Sequence, residues 1–175
     1  MSDSIILTGP MGSGKTSVGQ LLAVRLNYQF QDLDALIVEQ AGKSINQIFA
    51  EEGEAAFRDR ETALLSTLIG QRGIVLSTGG GAVIREKNRA LLHAAGLVVN
   101  LVAAVDELAR RLASADDRPL LQGDEALEKR IERIMAEREP FYADADIRID
   151  TTGKTLEDVA VLILAFYAEK YSGAL

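Results

Sequence analysis

Short runs of branched apolar residues alternate with longer segments of mixed polarity along this chain of 175 residues. The runs are rich in Ile, Leu and Val, as are strands that are buried on both faces of a sheet. They predict five strands, at residues 4–8, 28–32, 73–77, 96–101 and 146–150. The segments between them predict seven helices, at residues 15–26, 34–41, 45–70, 86–94, 105–113, 124–143 and 156–171. This alternation predicts a single α/β domain, residues 1–175, in which helices cover both faces of a parallel sheet.

Local signals mark several helix ends. Ser44 with Gln47, and Thr155 with Asp158, have the spacing of an N-terminal capping box. Pro140 lacks a backbone N–H group and is expected to break or kink the helix predicted around it. The two boxes therefore predict helices that begin directly after residues 44 and 155.

The composition is that of an ordinary folded domain, with 47% apolar and 26% charged residues. A formal net charge of -7 argues against a general nucleic-acid or membrane-surface binder, because such proteins display basic surfaces. The chain has no Cys and one His, so disulfides are excluded and a transition-metal site is not expected. Residues 1–10 do not resemble a signal peptide, and the longest apolar run, 159–168, is about half of a membrane span. These features are compatible with the cytoplasm, where we expect the protein.

The first predicted strand leads into a loop, Gly9-Pro-Met-Gly-Ser-Gly-Lys-Thr16, that matches G-x-x-x-x-G-K-[ST] at every fixed position. A phosphate chain needs several converging backbone N–H groups, and Gly9, Gly12 and Gly14 place no Cβ atom in their way. The start of the next helix adds N–H donors and the positive end of a dipole. Lys15 can then reach the β- and γ-phosphates, and Thr16 can bind Mg²⁺. The alternative is a turn that only joins a strand to a helix, but such a turn does not need the Lys-Thr pair.

Two further segments follow predicted strands, where ligands bind in open α/β sheets. Asp32 and Asp34 follow the second strand, where a carboxylate can hold Mg²⁺ or accept the proton of an attacking hydroxyl. One of them can instead cap the next helix, and Asp34, as its predicted first residue, can do both. Gly79, Gly80 and Gly81 follow the third strand and indicate positive φ or close approach to a ligand, with a flexible turn as the alternative.

Arginines supply weaker signals. The segment 113–124 is polar and rich in turn-forming residues, which makes it the best candidate for a lid. Arg118 within it can swing onto phosphates, or it can be an ordinary exposed loop residue. Arg58 and Glu61 in the long third helix have the spacing of a surface ion pair, and two phenylalanines of that helix have the spacing of core residues.

Together these features resemble the shikimate kinases, P-loop kinases similar in fold to the nucleoside monophosphate kinases. The resemblance covers nearly the whole chain and rests on six segments: GPMGSGKTSVG at 9–19, DLD at 32–34, FRDRE at 57–61, STGGG at 77–81, RPLL at 118–121 and REPFYA at 138–143. The first is shared by all P-loop proteins, whereas the ordered set is much more specific. The resemblance implies a three-layer fold with a five-stranded parallel sheet, a lid at about 113–124 and a substrate-binding region at about 33–61.

The resemblance also implies the reaction of ATP with shikimate to give ADP and shikimate 3-phosphate, a step towards chorismate and the aromatic amino acids. The implied ATP contacts are Gly12, Ser13, Gly14, Lys15, Thr16, Ser17, Arg111 and Arg118. The implied shikimate contacts are Asp34, Arg58, Gly79, Gly80, Gly81 and Arg138, with both guanidinium groups on the carboxylate. The implied catalytic residues are Asp34, Lys15 and Arg118, and the implied Mg²⁺ ligands are Thr16 and Asp32, directly or through water. Phe49, Phe57 and Glu61 are implied to surround the substrate.

Other interpretations remain open from the residues alone. A kinase for gluconate or a nucleoside monophosphate would use the same phosphate loop, although the aspartates and glycines lean against a nucleotide acceptor. A nucleotide-dependent switch or a scaffold is a further alternative, but the chain has no Asn-Lys-x-Asp element that reads guanine. The family often places Arg or Gln against adenine where this chain has Thr-Gly-Lys-Thr at 152–155, so that contact is not assigned. We expect a monomer with a small-molecule substrate and no nucleic-acid or membrane partner.

Overall fold

Five strands and seven helices make up the part of the chain that the computed structural model describes, residues 3–113 and 126–172. The strands are β1 (Ser4–Thr8), β2 (Gln29–Asp32), β3 (Ile74–Ser77), β4 (Gly96–Val102) and β5 (Ile147–Asp150). The helices are α1 (Lys15–Leu26), α2 (Leu33–Ala41), α3 (Ile45–Leu68), α4 (Glu86–Ala95), α5 (Val105–Leu112), α6 (Leu127–Tyr142) and α7 (Leu156–Ser172). Every predicted strand is confirmed to within one residue at each end.

The strands form one parallel sheet, as predicted, and the structure shows their order to be β2-β3-β1-β4-β5. The central strand is β1, which pairs with β3 on one side and β4 on the other. Because all the strands run the same way, the segments that follow β1, β2 and β3 meet at one edge of the sheet. This edge therefore brings together the phosphate loop, the two aspartates and the three glycines.

The side chains of the central strands alternate between two helical layers. Ile6 of β1 packs in a cluster with residues of α2, α3 and α4, whereas Ile5 and Leu7 pack in a second cluster with residues of α1 and α7. A third, smaller cluster joins α5 to α6. The predicted three-layer arrangement is thus confirmed. None of the described helices is long and apolar enough to span a membrane.

Two helices differ from their predicted form. The interior of α3 is interrupted at Gly53, whose φ of 85° and ψ of 169° are not helical, so that α3 has two halves. Only glycine enters this conformation readily. Pro140 does not break α6, which continues to Tyr142. The proline removes one hydrogen bond near the end of the helix, and burial of Tyr142 in the first core cluster holds the last turn in place.

Both predicted capping boxes are confirmed. The Ser44 hydroxyl accepts from the backbone N–H of Gln47 at 3.2 Å, and the Gln47 side chain accepts from the backbone N–H of Ser44 at 2.9 Å. Thr155 and Asp158 exchange the same two bonds at the start of α7. The predicted lid, 113–124, lies outside the described residues beyond Ala113, as does the predicted start of α6 at residue 124.

Candidate active site

The phosphate loop is a tight curve between β1 and α1. Gly9, Gly12 and Gly14 all have positive φ, at 134°, 79° and 93°, which glycine adopts without steric cost. A Cβ atom on Gly9 would also overlap the carbonyl oxygen of Leu101 in β4. Gly14 directly precedes α1, so the first N–H groups of that helix, which have no acceptor within it, face the loop. The predicted need for glycine at these three positions is confirmed.

A cation, a hydroxyl and a carboxylate lie within this loop and beside it. The Lys15 ammonium donates to the carbonyl oxygens of Gly9 at 2.9 Å and Pro10 at 2.8 Å, which holds it inside the curve. The Thr16 hydroxyl donates to Oδ2 of Asp32 at 3.1 Å. These are the chemical groups that bind a triphosphate and its metal ion in P-loop proteins.

The two aspartates after β2 have different surroundings. Oδ1 of Asp32 accepts from the backbone N–H of Ala35 at 3.2 Å and caps α2, which begins at Leu33. The alternative that one of the two aspartates caps the helix is therefore confirmed, for Asp32. The expectation that Asp34 is the first helical residue is wrong by one position, and Asp34 is not the cap. The cap requires extended backbone, which Asp32 has and a residue inside the helix does not. Asp34 lies within the first turn of the helix and lines two cavities at the sheet edge.

Three adjoining cavities cross this edge of the sheet. The arginine cavity is lined by Met11, Asp34, Ile45, Phe49, Phe57, Arg58, Glu61, Gly79, Gly80, Gly81 and Arg138. The phosphate-loop cavity is lined by Met11, Gly12, Gly14, Lys15, Thr16, Ser17, Asp32, Asp34, Ser77, Thr78, Gly79, Gly80 and Arg111. The outer cavity is lined by Gly12, Ser13, Gly14, Ser17, Val18, Glu107, Arg110, Arg111, Thr151, Lys154, Thr155, Leu156 and Val159. Each cavity shares walls with the next, so the three form a row.

Arg58 is held between two carboxylates in the arginine cavity. Its Nη1 donates to Oε2 of Glu61 at 2.7 Å, and its Nη2 and Nε donate to Oε1 of Glu54 at 3.0 and 3.3 Å. Arg58 is only 7% exposed and Glu61 is fully buried, so the alternative of a surface ion pair is wrong. The helical spacing does place the two on one face of α3, but that face packs into the domain.

The charges in this cavity shift one another. Burial raises the pKa of Glu61, and Asp34 reinforces the shift while the charge of Arg58 opposes it. Burial acts to lower the pKa of Arg58, but Glu61 and Glu54 outweigh burial and the pKa is raised. Both pKa values are raised, which disfavours the ionised form of Glu61 but favours that of Arg58. The 2.7 Å contact between them favours two ions at neutral pH. On acidification, Glu61 is the partner that is neutralised first.

Close packing, rather than positive φ, explains the three glycines after β3. None of them has a positive φ. A Cβ atom on Gly79 would lie 2.6 Å from Oδ1 of Asp34, and one on Gly81 would lie 2.6 Å from Cζ of Arg58. The glycines therefore form a floor on which the acid and the guanidinium lie, and close approach comes from the protein's own side chains.

Arg138 reaches the same cavity from α6 and is almost fully buried. Tyr142, four residues later, donates from its hydroxyl to the carbonyl oxygen of Gly80 at 2.6 Å and is also hydrogen-bonded to Arg138. Burial raises the pKa of the Tyr142 phenol, so the hydroxyl stays protonated as a donor. Tyr142 thus joins the last turn of α6 to the glycine floor.

Arg111 of α5 lies at the boundary between the phosphate-loop cavity and the outer cavity. Its Nη1 donates to the carbonyl oxygen of Gly12 at 3.1 Å, and its Nε donates to Glu107 at 2.8 Å. These bonds hold the flat guanidinium at the mouth of the loop. No contact was assigned to the stretch 152–155. Lys154, within that stretch, and Leu156, directly after it, line the far part of the outer cavity.

Every predicted contact residue that the structure describes lines at least one of these cavities. Arg118 was also predicted to contact ATP, but it lies outside the described residues. Sequence reasoning missed Met11, Glu54 and Tyr142. Met11 occupies a variable position of the phosphate-loop motif, and Tyr142 lies within the segment REPFYA but was given no role there. Glu54 lies outside all six segments and touches the site only through Arg58.

Comparisons with known proteins agree with this geometry. Residues 11–168 match the family model for shikimate kinase. The chain is similar to the shikimate kinase of Geobacter metallireducens, with 56% identity over 93% of this chain and 90% of that protein. For the shikimate kinase of Geobacter sulfurreducens the identity is 52%, over 95% of this chain and 91% of the relative. The fold is also similar to that of a shikimate kinase from Acinetobacter baumannii solved in complex with shikimate, with a TM-score of 0.91, 38% identity and coverage of 100% of this chain and 96% of that one. The chain therefore belongs to the shikimate kinase family and is an ATP-dependent kinase of shikimate.

Proposed function

We propose that phosphoryl transfer takes place at the wall shared by the arginine and phosphate-loop cavities, from ATP to the 3-hydroxyl of shikimate. The observation that carries this proposal is that Asp34, Gly79 and Gly80 line both cavities. An acceptor in the first cavity and a triphosphate in the second would meet only along that wall. Positioning and electrostatic stabilisation supply most of the rate enhancement, because the transfer of a phosphoryl group needs little covalent catalysis by the protein.

Arg58 and Arg138 bind the carboxylate of shikimate in this proposal. Both guanidinium groups line the arginine cavity, and both are buried, so their charges are weakly screened. A planar carboxylate fits the fork of donors that a guanidinium presents. Glu61 keeps Arg58 oriented, while Phe49 and Phe57, whose ring centroids are 5.0 Å apart, provide an apolar wall for the carbon ring.

Asp34 acts as the general base. Its carboxylate lies over Gly79, on the shared wall, within reach of a hydroxyl that faces the phosphate loop. A lone pair of the hydroxyl oxygen forms the new O–P bond while the bond from the γ-phosphorus to ADP breaks. The hydroxyl proton passes to Asp34 during the same step. The products are shikimate 3-phosphate and ADP, with the proton on Asp34, and the step needs no further reactant.

The phosphate loop binds the nucleotide through its backbone N–H groups, with Lys15 on the β- and γ-phosphates. Ser13 and Ser17 line the outer part of the loop. Arg111 stacks on the base at the outer cavity, opposite the aliphatic side of Leu156. By resemblance to the family, Arg118 closes on the phosphates, although that residue lies outside the described part of the chain.

Thr16 and Asp32 fit a Mg²⁺ site. Their oxygens are 3.1 Å apart at the mouth of the phosphate-loop cavity, and oxygen is the ligand that Mg²⁺ prefers. Among the described residues no group of three or more His, Cys, Asp or Glu side chains could hold a metal ion alone. This is typical of an ion that takes its other ligands from phosphates and water. When bound, Mg²⁺ would neutralise charge on the phosphates, and the part of Thr16 and Asp32 is to hold it there.

We further propose that the protein works in the cytoplasm as a monomer, with shikimate as its partner and without nucleic acid or membrane. The net charge of -7 supports the absence of nucleic-acid and membrane partners, because a protein that binds either would display an excess of basic residues. The arginine cavity instead presents two guanidinium groups, those of Arg58 and Arg138, to the single carboxylate of a small substrate.

The test is an ADP-release assay with Mg²⁺ and ATP over a panel of acceptors: shikimate, gluconate and AMP. We expect turnover with shikimate alone. The variant Asp34→Asn should lower kcat by about 10²-fold or more while ATP binding is retained, since it removes the base but not the phosphate loop. Normal steady-state kinetics in Asp34→Asn, or faster turnover of gluconate or AMP, would contradict the proposal.

A further inference from the structure

Glu54 occupies the side of Arg58 that faces away from Glu61. A single oxygen, Oε1 of Glu54, accepts from both Nη2 and Nε of Arg58. Glu61 uses only Nη1. The two glutamates differ sharply in environment, because the Glu54 side chain is 50% exposed and that of Glu61 is 0% exposed. Arg58 is therefore gripped by one carboxylate that cannot reach water and one that can.

We propose that Glu54 competes with the substrate for Arg58: it holds the Nε–Nη2 fork and yields it when a carboxylate enters the arginine cavity. This inference rests on the proposed function, which assigns the shikimate carboxylate to Arg58. Glu54 is then a specificity-determining residue, because a ligand without a carboxylate has nothing with which to replace it.

The charges of the cavity identify Glu54 as the group that moves. Arg58 and Arg138 face three carboxylates, those of Asp34, Glu54 and Glu61. A substrate carboxylate adds a fourth negative charge to two positive ones. Glu54 can turn into water at a lower cost than Glu61 because its side chain is already half-exposed. Ionised Glu61 would be left buried without its partner, which costs far more.

The backbone next to Glu54 allows this movement. Gly53, immediately before it, is the non-helical residue that divides α3. Glu54 therefore begins the second half of the helix and is not clamped by a continuous helical ladder from residues 45–52. A small rotation at Gly53 changes the reach of the Glu54 side chain without unwinding a turn.

A purely structural role predicts different behaviour. An acid at the start of a helical segment interacts favourably with the helix dipole. The alternative role of Glu54 is therefore to stabilise only the second half of α3. In that case, removing its charge lowers stability and leaves the affinity for shikimate unchanged. Competition instead predicts a tighter complex with a carboxylate ligand and no change with a neutral one.

The test measures the Kd of shikimate, and of its neutral methyl ester, by calorimetry on the full-length protein. The variant Glu54→Gln keeps the shape of the side chain and removes its charge. Glu51→Gln is the matched control, because Glu51 is on the same helix, is exposed, and pairs with Lys43 rather than Arg58. We expect Glu54→Gln to tighten shikimate by about fivefold, the size of one partly exposed ion pair. The methyl ester should stay within twofold of wild type, and Glu51→Gln should have no effect.

Three outcomes would overturn the inference: an unchanged or weaker shikimate Kd in Glu54→Gln, an equal gain for the methyl ester, or the same gain in Glu51→Gln. The variant Arg58→Ala separates this failure from failure of the proposed function. If Arg58→Ala binds shikimate normally, the assignment of the carboxylate is wrong. If it binds shikimate weakly and Glu54→Gln shows no gain, only the competition is wrong.

Discussion

Gly81→Ala tests whether the glycine floor sets the position of Arg58. The backbone of Gly81 does not have a positive φ, so alanine can adopt it without strain. The new methyl group would lie 2.6 Å from Cζ of Arg58, whereas ordinary contact begins at 3.4 Å. Nη2 of Arg58 would lie closer still, so the guanidinium must move by at least the difference, about 0.8 Å. Misplacement of a binding group by about 1 Å can cost 10²-fold, so kcat/KM for shikimate should fall by up to about that factor, or about 2.7 kcal/mol.

The assay is steady-state kinetics with each substrate varied in turn. KM for ATP is the internal control, because Gly81 does not line the phosphate-loop cavity and its methyl group should leave that value unchanged. A thermal unfolding curve checks that the variant remains folded. The double variant with Arg58→Ala completes a mutant cycle, in which effects acting through the same guanidinium are not additive.

Two results would refute this reasoning. A KM for shikimate within twofold of wild type would mean that Arg58 tolerates the displacement. Additive losses in the cycle would mean that the methyl group acts on something other than Arg58, such as the neighbouring glycine backbone.

Three further predictions concern the same edge of the sheet. Lys15→Met removes the cation of the phosphate loop and should lower kcat/KM for ATP by about 10²-fold or more, with shikimate binding retained; intact turnover would contradict the role of Lys15. Tyr142→Phe and Tyr167→Phe each remove a 2.6 Å bond from a phenol to a backbone carbonyl, at Gly80 and on the far side of the sheet respectively. Both should lower the free energy of unfolding by about 1 kcal/mol or more, but only Tyr142→Phe should raise KM for shikimate, and equal kinetics would show that Tyr142 does not position the site. Burial raises the pKa of Glu61, so protonated Glu61 is favoured in the folded state. The unfolding free energy of the wild type should therefore fall, relative to that of Glu61→Gln, as pH rises from the ordinary pKa of 4.5 through the folded-state pKa. Urea-unfolding stabilities that stay parallel for the two proteins across that range would rule out the shift.

The strands and the phosphate loop could be predicted from the sequence because their signals are local. A buried parallel strand is a continuous apolar run, and the phosphate loop carries its chemistry within eight consecutive residues. The choice of Arg58 and Arg138 from many arginines came from the resemblance to a family, since helical spacing alone made Arg58 a surface residue. The structure places both in one cavity.

The features that were not predicted depend on long-range packing. Tyr142 meets Gly80 across 62 residues of chain, and no periodicity reports such a contact. Gly53 could have been an ordinary glycine within a helix, and only its backbone angles reveal the break. Asp32 rather than Asp34 became the cap because the helix begins one residue earlier than its apolar pattern indicates.

The contact of Gly9 with the carbonyl of Leu101 ties the nucleotide loop to the central strands. Part of the arginine cavity, by contrast, is formed by α3, whose backbone is interrupted at Gly53. The nucleotide loop is thus built on the central strands, whereas part of the acceptor cavity is built on a helix outside the sheet. In such an arrangement, substitutions in that helix can change which small alcohol is accepted while the nucleotide loop stays the same.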